Sequence, residues 1–176
     1  RYRIQKFNAN GSWMKSFPNL SGIRNVAVDS SGNVFATNAR DIYKWNSAGV
    51  NLGGFSCGQD CRGLSEYNGT IYATDQGSGA QSVKKWNAST FAPSGSFSVT
   101  SNYYPQEIEV TSKGIYVSNS LNSVQKYSLS GVYSKQFGSS SIYGFGSDSS
   151  NNIYIADFYR HAIKKYDSDG NYLSTA

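Results

Sequence analysis

The sequence predicts an all-β chain of the β-propeller class, and three observations predict it. One phrase recurs five times, a second is interleaved with it four times, and no segment of the 176 residues sustains a helical period. The expected architecture is a set of four-stranded antiparallel blades of about 40 residues each, incomplete or part of a larger ring.

The first phrase reads "RIQKFNANG" (3–11), "DIYKWNSAG" (41–49), "SVKKWNAST" (82–90), "SVQKYSLSG" (123–131) and "AIKKYDSDG" (162–170). Its columns are β-branched (Ile4, Ile42, Val83, Val124, Ile163), lysine (Lys6, Lys44, Lys85, Lys126, Lys165) and aromatic (Phe7, Trp45, Trp86, Tyr127, Tyr166). Short runs of this kind around an Asn, Asp, Ser or Gly turn are β-hairpins. The aromatic column is expected to form blade-to-blade core, and the lysines to be solvated strand positions.

The second phrase precedes four of the five copies: "VAVDSSGNVFATN" (26–38), "LSEYNGTIYATD" (64–75), "IEVTSKGIYVSN" (108–119) and "FGSDSSNNIYIAD" (145–157). It supplies the two inner strands, a and b, and the first phrase supplies the outer strands, c and d. The expected division is an outer c–d hairpin over 1–19 and blades over 20–56, 57–98, 99–138 and 139–176. Five outer hairpins against four inner ones imply a piece of a longer propeller of about six blades, or an open arc whose edges pair with neighbouring copies.

"GIRNVAVDSSGNVFATN" with "DIYKWNSAG", and "GFGSDSSNNIYIADFYRHAIKKYDSDG", resemble NHL repeats. The resemblance implies the propeller fold over nearly the whole chain. The family's range of roles runs from extracellular sensors and scaffolds to RNA-binding modules and a few lyases. The NHL-type lyases hold a metal with several histidines, whereas this chain has His161 alone. Lactonase-like propellers hold calcium with Glu, Asn and Asp. Here Glu66, Glu107, Glu109, Asn25 and Asp75 could offer oxygen ligands, but at no aligned motif position.

Successive strands alternate direction, so the near-invariant a–b and c–d turns share one face and the variable b–c and d–a loops share the other. Binding is expected on the variable face. Arg24, Arg62, Gln106 and Tyr143 open the inner strands there, and Asn38, Asp75, Asn119 and Asp157 close the b strands. Arg40, Arg160 and His161 lie in the b–c loops, near Tyr103, Tyr104, Phe158 and Tyr159. The b-strand column is expected chiefly to bond its own loops. The candidate contacts are Arg24, Arg40, Arg62, Asp75, Gln106, Tyr143, Asp157, Arg160 and His161, suited to a protein, peptide or glycan.

Cys57 and Cys61 in "CGQDC" lack the further ligands of a zinc site, and a disulfide is expected in preference to two free thiols because the Ser-, Asn-, Gly- and Tyr-rich composition looks extracellular. Acceptor sequences for N-glycosylation stand at Asn10, Asn19, Asn68 and Asn87. A net charge of +5 without a basic run argues against nucleic acid, and no apolar run reaches membrane-spanning length. These features lead to an expected non-enzymatic module, extracellular or at the cell surface, with no cofactor and with self-association through strand edges open to it. Two alternatives stand beside that reading: a piece of a propeller lyase or lactonase-like enzyme, and a basic-faced RNA-binding module.

Overall fold

The computed structural model describes residues 3–17, 20–77, 81–100, 104–120, 123–138 and 142–176. Strands β1 (Gln5–Phe7) and β2 (Trp13–Ser16) form an isolated hairpin. Four antiparallel four-stranded sheets follow in chain order. The first holds β3 (Asn25–Val28), β4 (Val34–Thr37), β5 (Asp41–Trp45) and β6 (Asn51–Ser56). The second holds β7 (Cys61–Tyr67), β8 (Thr70–Asp75), β9 (Ser82–Asn87) and β10 (Pro93–Ser98). The third holds β11 (Pro105–Thr111), β12 (Gly114–Asn119), β13 (Val124–Tyr127) and β14 (Tyr133–Phe137). The fourth holds β15 (Ile142–Ser147), β16 (Ile153–Asp157), β17 (Ala162–Tyr166) and β18 (Tyr172–Thr175). Inner strands β3, β7, β11 and β15 pack in succession, so the sheets form an open propeller arc. No helix among the described residues is long and apolar enough to cross a membrane.

The repeated turn aspartates are explained by their own loops. Asp29 accepts hydrogen bonds from the backbone N–H of Ser31 and Asn33 and from the Asn33 amide at 2.7 Å. Asp148 and Asp167 do the same with Asn152 and Asn171. These donors, Asn152 above all, hold the Asp148 carboxyl down at about 2. Such a turn positions two strands and leaves no carboxylate free for chemistry.

Each junction between sheets has its own apolar cluster. Phe17 and Trp45 join the hairpin to the first sheet, Phe35, Ile42, Ile71 and Trp86 join the first to the second, and Val83, Ile108, Ile115 and Tyr127 the second to the third. Val124, Phe137, Ile153 and Tyr166 join the third to the fourth. A Phe on or directly after the outermost strand of one unit meets the column aromatic of the next: Phe17 with Trp45, Phe55 with Trp86, Phe97 with Tyr127 and Phe137 with Tyr166, at 5.0 to 6.4 Å between centroids. Each such pair contributes roughly 0.5–1.5 kcal/mol beyond its burial. Phe7 alone in the column is exposed.

The lysine column departs from expectation. Lys44 is buried, its ammonium donating to the Ala88 carbonyl at 2.8 Å and lying 5.1 Å from the Phe35 ring centroid. Lys126 reaches forward to Asp169 at 2.8 Å. Both span from one sheet to the outer turn of the next, their stems covering aromatic surface while the amines find oxygen. Lys6 remains exposed.

Candidate functional site

The b-strand column is anchored in its own loops. Asn38 accepts the N–H of Arg40 and of Asp41, and Asn119 donates to the Ser123 hydroxyl at 2.8 Å. Asp75 and Asp157 are buried and ion-paired, to Lys84 at 2.7 Å and to Lys164 at 2.8 Å. Burial works to raise the Asp75 pKa, but the Lys84, Gly77 and Asp60 donors together outweigh it and hold the carboxyl below 3.8. Of the candidate contacts, Asp75 and Asp157 are therefore parts of the scaffold. The signal for their partners was present: "KK" occurs in the two blades whose b strand ends in Asp, while the Asn blades have Tyr43 or Gln125 at the matching position.

On the rim, Arg24 and Arg62 converge on one carboxylate. Arg24 pairs with Asp60 and also donates to the Cys61 carbonyl at 3.1 Å, and Arg62 lies 3.4 Å from Asp60. Burial acts to raise the Asp60 pKa, and the two guanidiniums overcome it, so the net shift is downward. The Cys57–Cys61 disulfide closes the loop that carries Asp60. Lys84 secures that loop through the Cys57 carbonyl, and Asp75 does so by accepting the Asp60 N–H. Gln106 is half-buried, while Arg40 and Arg160 are exposed.

A second cluster lies at the far end of the same face. Tyr143 stacks on Phe158 at 4.6 Å, and the Phe158 centroid lies 6.3 Å from that of His161. His161 adopts φ 49° in the turn that follows Asp157. Asn10, Asn68 and Asn87 are exposed; Asn19 and Tyr103 lie outside the described residues.

The chemically distinctive groups are on the inner strands. Glu107 and Glu109 are two residues apart on β11, with Glu107 inside the irregularity that interrupts its pairing with β12. Glu107 accepts a hydrogen bond from the Asn25 amide of β3, and Glu109 accepts one from the Ser147 hydroxyl of β15 at 2.5 Å. Inner strands of three sheets thus converge on two carboxyls. Burial pushes both pKa values above 4.5, against the opposing pull of Asn25 and Ser147. Both remain partly accessible. Gly63 permits the approach: a Cβ there would lie 2.6 Å from the Gln106 carbonyl oxygen and 2.8 Å from the Glu107 Cα. Thr74 closes the seam, accepting from the Gly63 N–H and donating to the Gln106 carbonyl. Among the described residues, no three His, Cys, Asp or Glu side chains gather as a metal cluster.

No protein-family model matches the chain, and no curated protein matches it in sequence. Solved structures do match. Virginiamycin B lyase from Staphylococcus aureus aligns with TM-score 0.75 at 15% identity, over 99% of this chain and 62% of that one. A streptogramin B lyase structure gives 0.76 at 17% identity, over 99% and 61%. A protein of unknown function from Bacteroides caccae gives 0.76 at 9% identity, over 100% and 69%. A catalytically inactive variant of the Staphylococcus aureus enzyme with one histidine replaced by alanine, solved with quinupristin, also matches. The likeness establishes a shared fold, and the chain spans a little over three-fifths of the lyases' length.

These matches correct two expectations. The NHL assignment does not hold: no model of that family matches, and the similar structures include streptogramin-type lyases. The repeat phrase misled because its turns and aromatic columns answer to blade geometry, which unrelated propellers share. The expectation of a non-enzymatic module is corrected as well, since the solved structures that share the fold include lyases.

Proposed function

We propose that the chain forms the greater part of a propeller lyase whose chemistry is carried out at the inner strands. The observation that carries this reading is the repeated likeness to lyase propellers over 99% of the chain. The paired inner carboxyls are consistent with it. A lyase breaks a bond by removing one proton and expelling a leaving group, so it needs a base and an acid side by side. A carboxylate whose charge burial disfavours is a stronger base than a solvated one, and a second carboxyl on the same strand can deliver a proton to the leaving group. Glu107 and Glu109 fill those roles in this proposal, with Asn25 and Ser147 as positioning residues. The substrate enters from the variable-loop face, where Arg24, Arg40, Arg62 and Arg160 favour a peptide-like molecule rich in carbonyl oxygens.

The test is mass spectrometry of quinupristin, the ligand of the matched variant, after incubation with the protein at the length its source produces. Lyase cleavage adds no water, so opening a ring keeps the substrate's mass, and the product is told from intact substrate by its chromatographic retention and its fragmentation. Products heavier by one water, or an unaltered substrate, would overturn the proposal.

A further inference from the structure

Strand β11 carries both inner carboxyls, and its pairing with β12 breaks where Glu107 stands. Pro105 faces Asn119 and Ile108 faces Val117, so Gln106 and Glu107 together oppose Ser118 alone. Two residues against one make a β-bulge, which takes the intervening peptide group out of the ladder and re-aims the side chain beside it. That peptide group has lost its ladder partners and must find others.

It finds two hydroxyls. The Glu107 N–H donates to the Ser118 hydroxyl at 3.0 Å, and the Gln106 carbonyl accepts from the Thr74 hydroxyl at 2.7 Å. These are the two ends of one peptide unit, gripped from the third sheet on one side and from the second on the other. Ser118 and Thr74 are both buried. The second sheet holds the same strand twice more, Gln76 donating to the Pro105 carbonyl at 2.7 Å and Ser65 accepting the Val110 N–H at 3.2 Å. With its peptide fixed at both ends, Glu107 has its direction set before its side chain reaches Asn25.

The other sheets show what the hydroxyls add. In the second sheet, Arg62 and Gly63 oppose Thr74 in the same way, and the Gly63 N–H donates to that hydroxyl at 2.8 Å. In the fourth, the irregularity recurs at Tyr143, but the residue facing it is Ala156. A bulge therefore forms here without a hydroxyl opposite it. In the first sheet, β3 pairs with β4 without interruption, and the Thr37 hydroxyl turns to the Asn38 and Asp41 carbonyls. Among the described residues, the bulge that bears a carboxyl is the one whose peptide is clamped by hydroxyls at both ends.

We infer that Ser118 and Thr74 are positioning residues, which hold the peptide between Gln106 and Glu107 so that the Glu107 carboxyl stays aimed beside Asn25. Their part in the reaction rests on the lyase reading above; the clamp itself rests on the hydrogen bonds alone.

Carboxyl-carbon NMR titration and quinupristin turnover, both on the protein at the length its source produces, test the inference. Ser118→Ala and Thr74→Val each remove one hydroxyl, and the alanine has its precedent in Ala156. In each variant Glu107 should titrate closer to 4.5 than in the wild type, as its carboxyl leaves its buried setting. Glu109, which pairs regularly with Tyr116, should keep its wild-type titration. Turnover should fall by about 100-fold in kcat with KM little changed, the effect of a misplaced catalytic group. Ser118→Thr and Thr74→Ser, which retain a hydroxyl, should preserve both readings. An unmoved Glu107 titration, both glutamates shifting together, or an unchanged kcat would each overturn the inference. A wild-type protein inert toward quinupristin would overturn the lyase reading and the catalytic role with it, and the Glu107 titration would then decide the clamp by itself.

Discussion

Asn25 of β3 donates its side-chain amide to Glu107 of β11, although β7 lies between these two strands in the order of the inner strands. Residues 82 positions apart are thereby joined, and the contact skips a whole sheet. Its partner on the same strand, Glu109, is tied to the sheet on the other side.

Glu107→Gln should abolish lyase turnover while keeping the amide contact to Asn25, and circular dichroism should show the fold retained. Glu107→Gln with full activity would remove this residue from the chemistry.

Stability should depend on pH in a direction set by these two groups. Their pKa values are raised by burial, so ionising them costs more in the folded state than in the unfolded one. Stability should therefore decline as pH climbs from about 4.5 through the folded values. Asp75, held below 3.8, acts in the opposite sense and contributes stability that is lost as pH falls through its folded value. Urea midpoints measured across pH 3–8 should show the upper decline in the wild type and lose it in the double variant Glu107→Gln/Glu109→Gln.

The buried Asp157–Lys164 pair has a natural control within the same chain, because the third blade carries Asn119 and Gln125 at those positions. Asp157→Asn alone should cost about 3–5 kcal/mol, since it removes the negative charge paired with a buried ammonium. Adding Lys164→Gln should recover most of the loss in a double-mutant cycle read by denaturant unfolding. A double variant as unstable as the single one would show that the ion pair is more than interchangeable scaffold.

Gly131 sits at φ 90°, and a Cβ there would lie 2.6 Å from the Phe97 ring. Gly131→Ala should cost roughly 2 kcal/mol or more from backbone strain and overpacking combined. Gly11, at φ 77° but facing open space, should lose only the backbone part on substitution by Ala, and thermal melts of the two variants separate the contributions.

Lys44→Met keeps the aliphatic stem but leaves the Ala88 carbonyl without its donor. A loss of about 1–3 kcal/mol is expected. The equivalent change at exposed Lys6 should fall within about 0.5 kcal/mol of the wild type.

The propeller was legible because its information is local. Alternating runs and turns rich in Asp, Ser, Asn and Gly lie within hairpin range, and a column aromatic recurs every 38 to 41 residues. What lay hidden was set by contacts between blades. Lys44 looks like any strand lysine until the outer turn of the second sheet arrives above it. Asp75 reads as a rim carboxylate until Lys84 is placed under it, although the matched exchange of Asp–Lys for Asn–Gln between blades already encoded the pair. Glu107 and Glu109 were visible as oxygen donors in the sequence, but their convergence with Asn25 and Ser147 depends on strands from three sheets.

The forward reach of Lys15 to Ser47, Lys44 to Ala88 and Lys126 to Asp169 gives the arc a polarity. In each case an earlier unit supplies the clamp and a later unit supplies the turn that it grips. A chain emerging from the ribosome N-terminus first would present each new outer turn to a lysine already in place. Seen this way, these three lysines are an assembly order written into the chain.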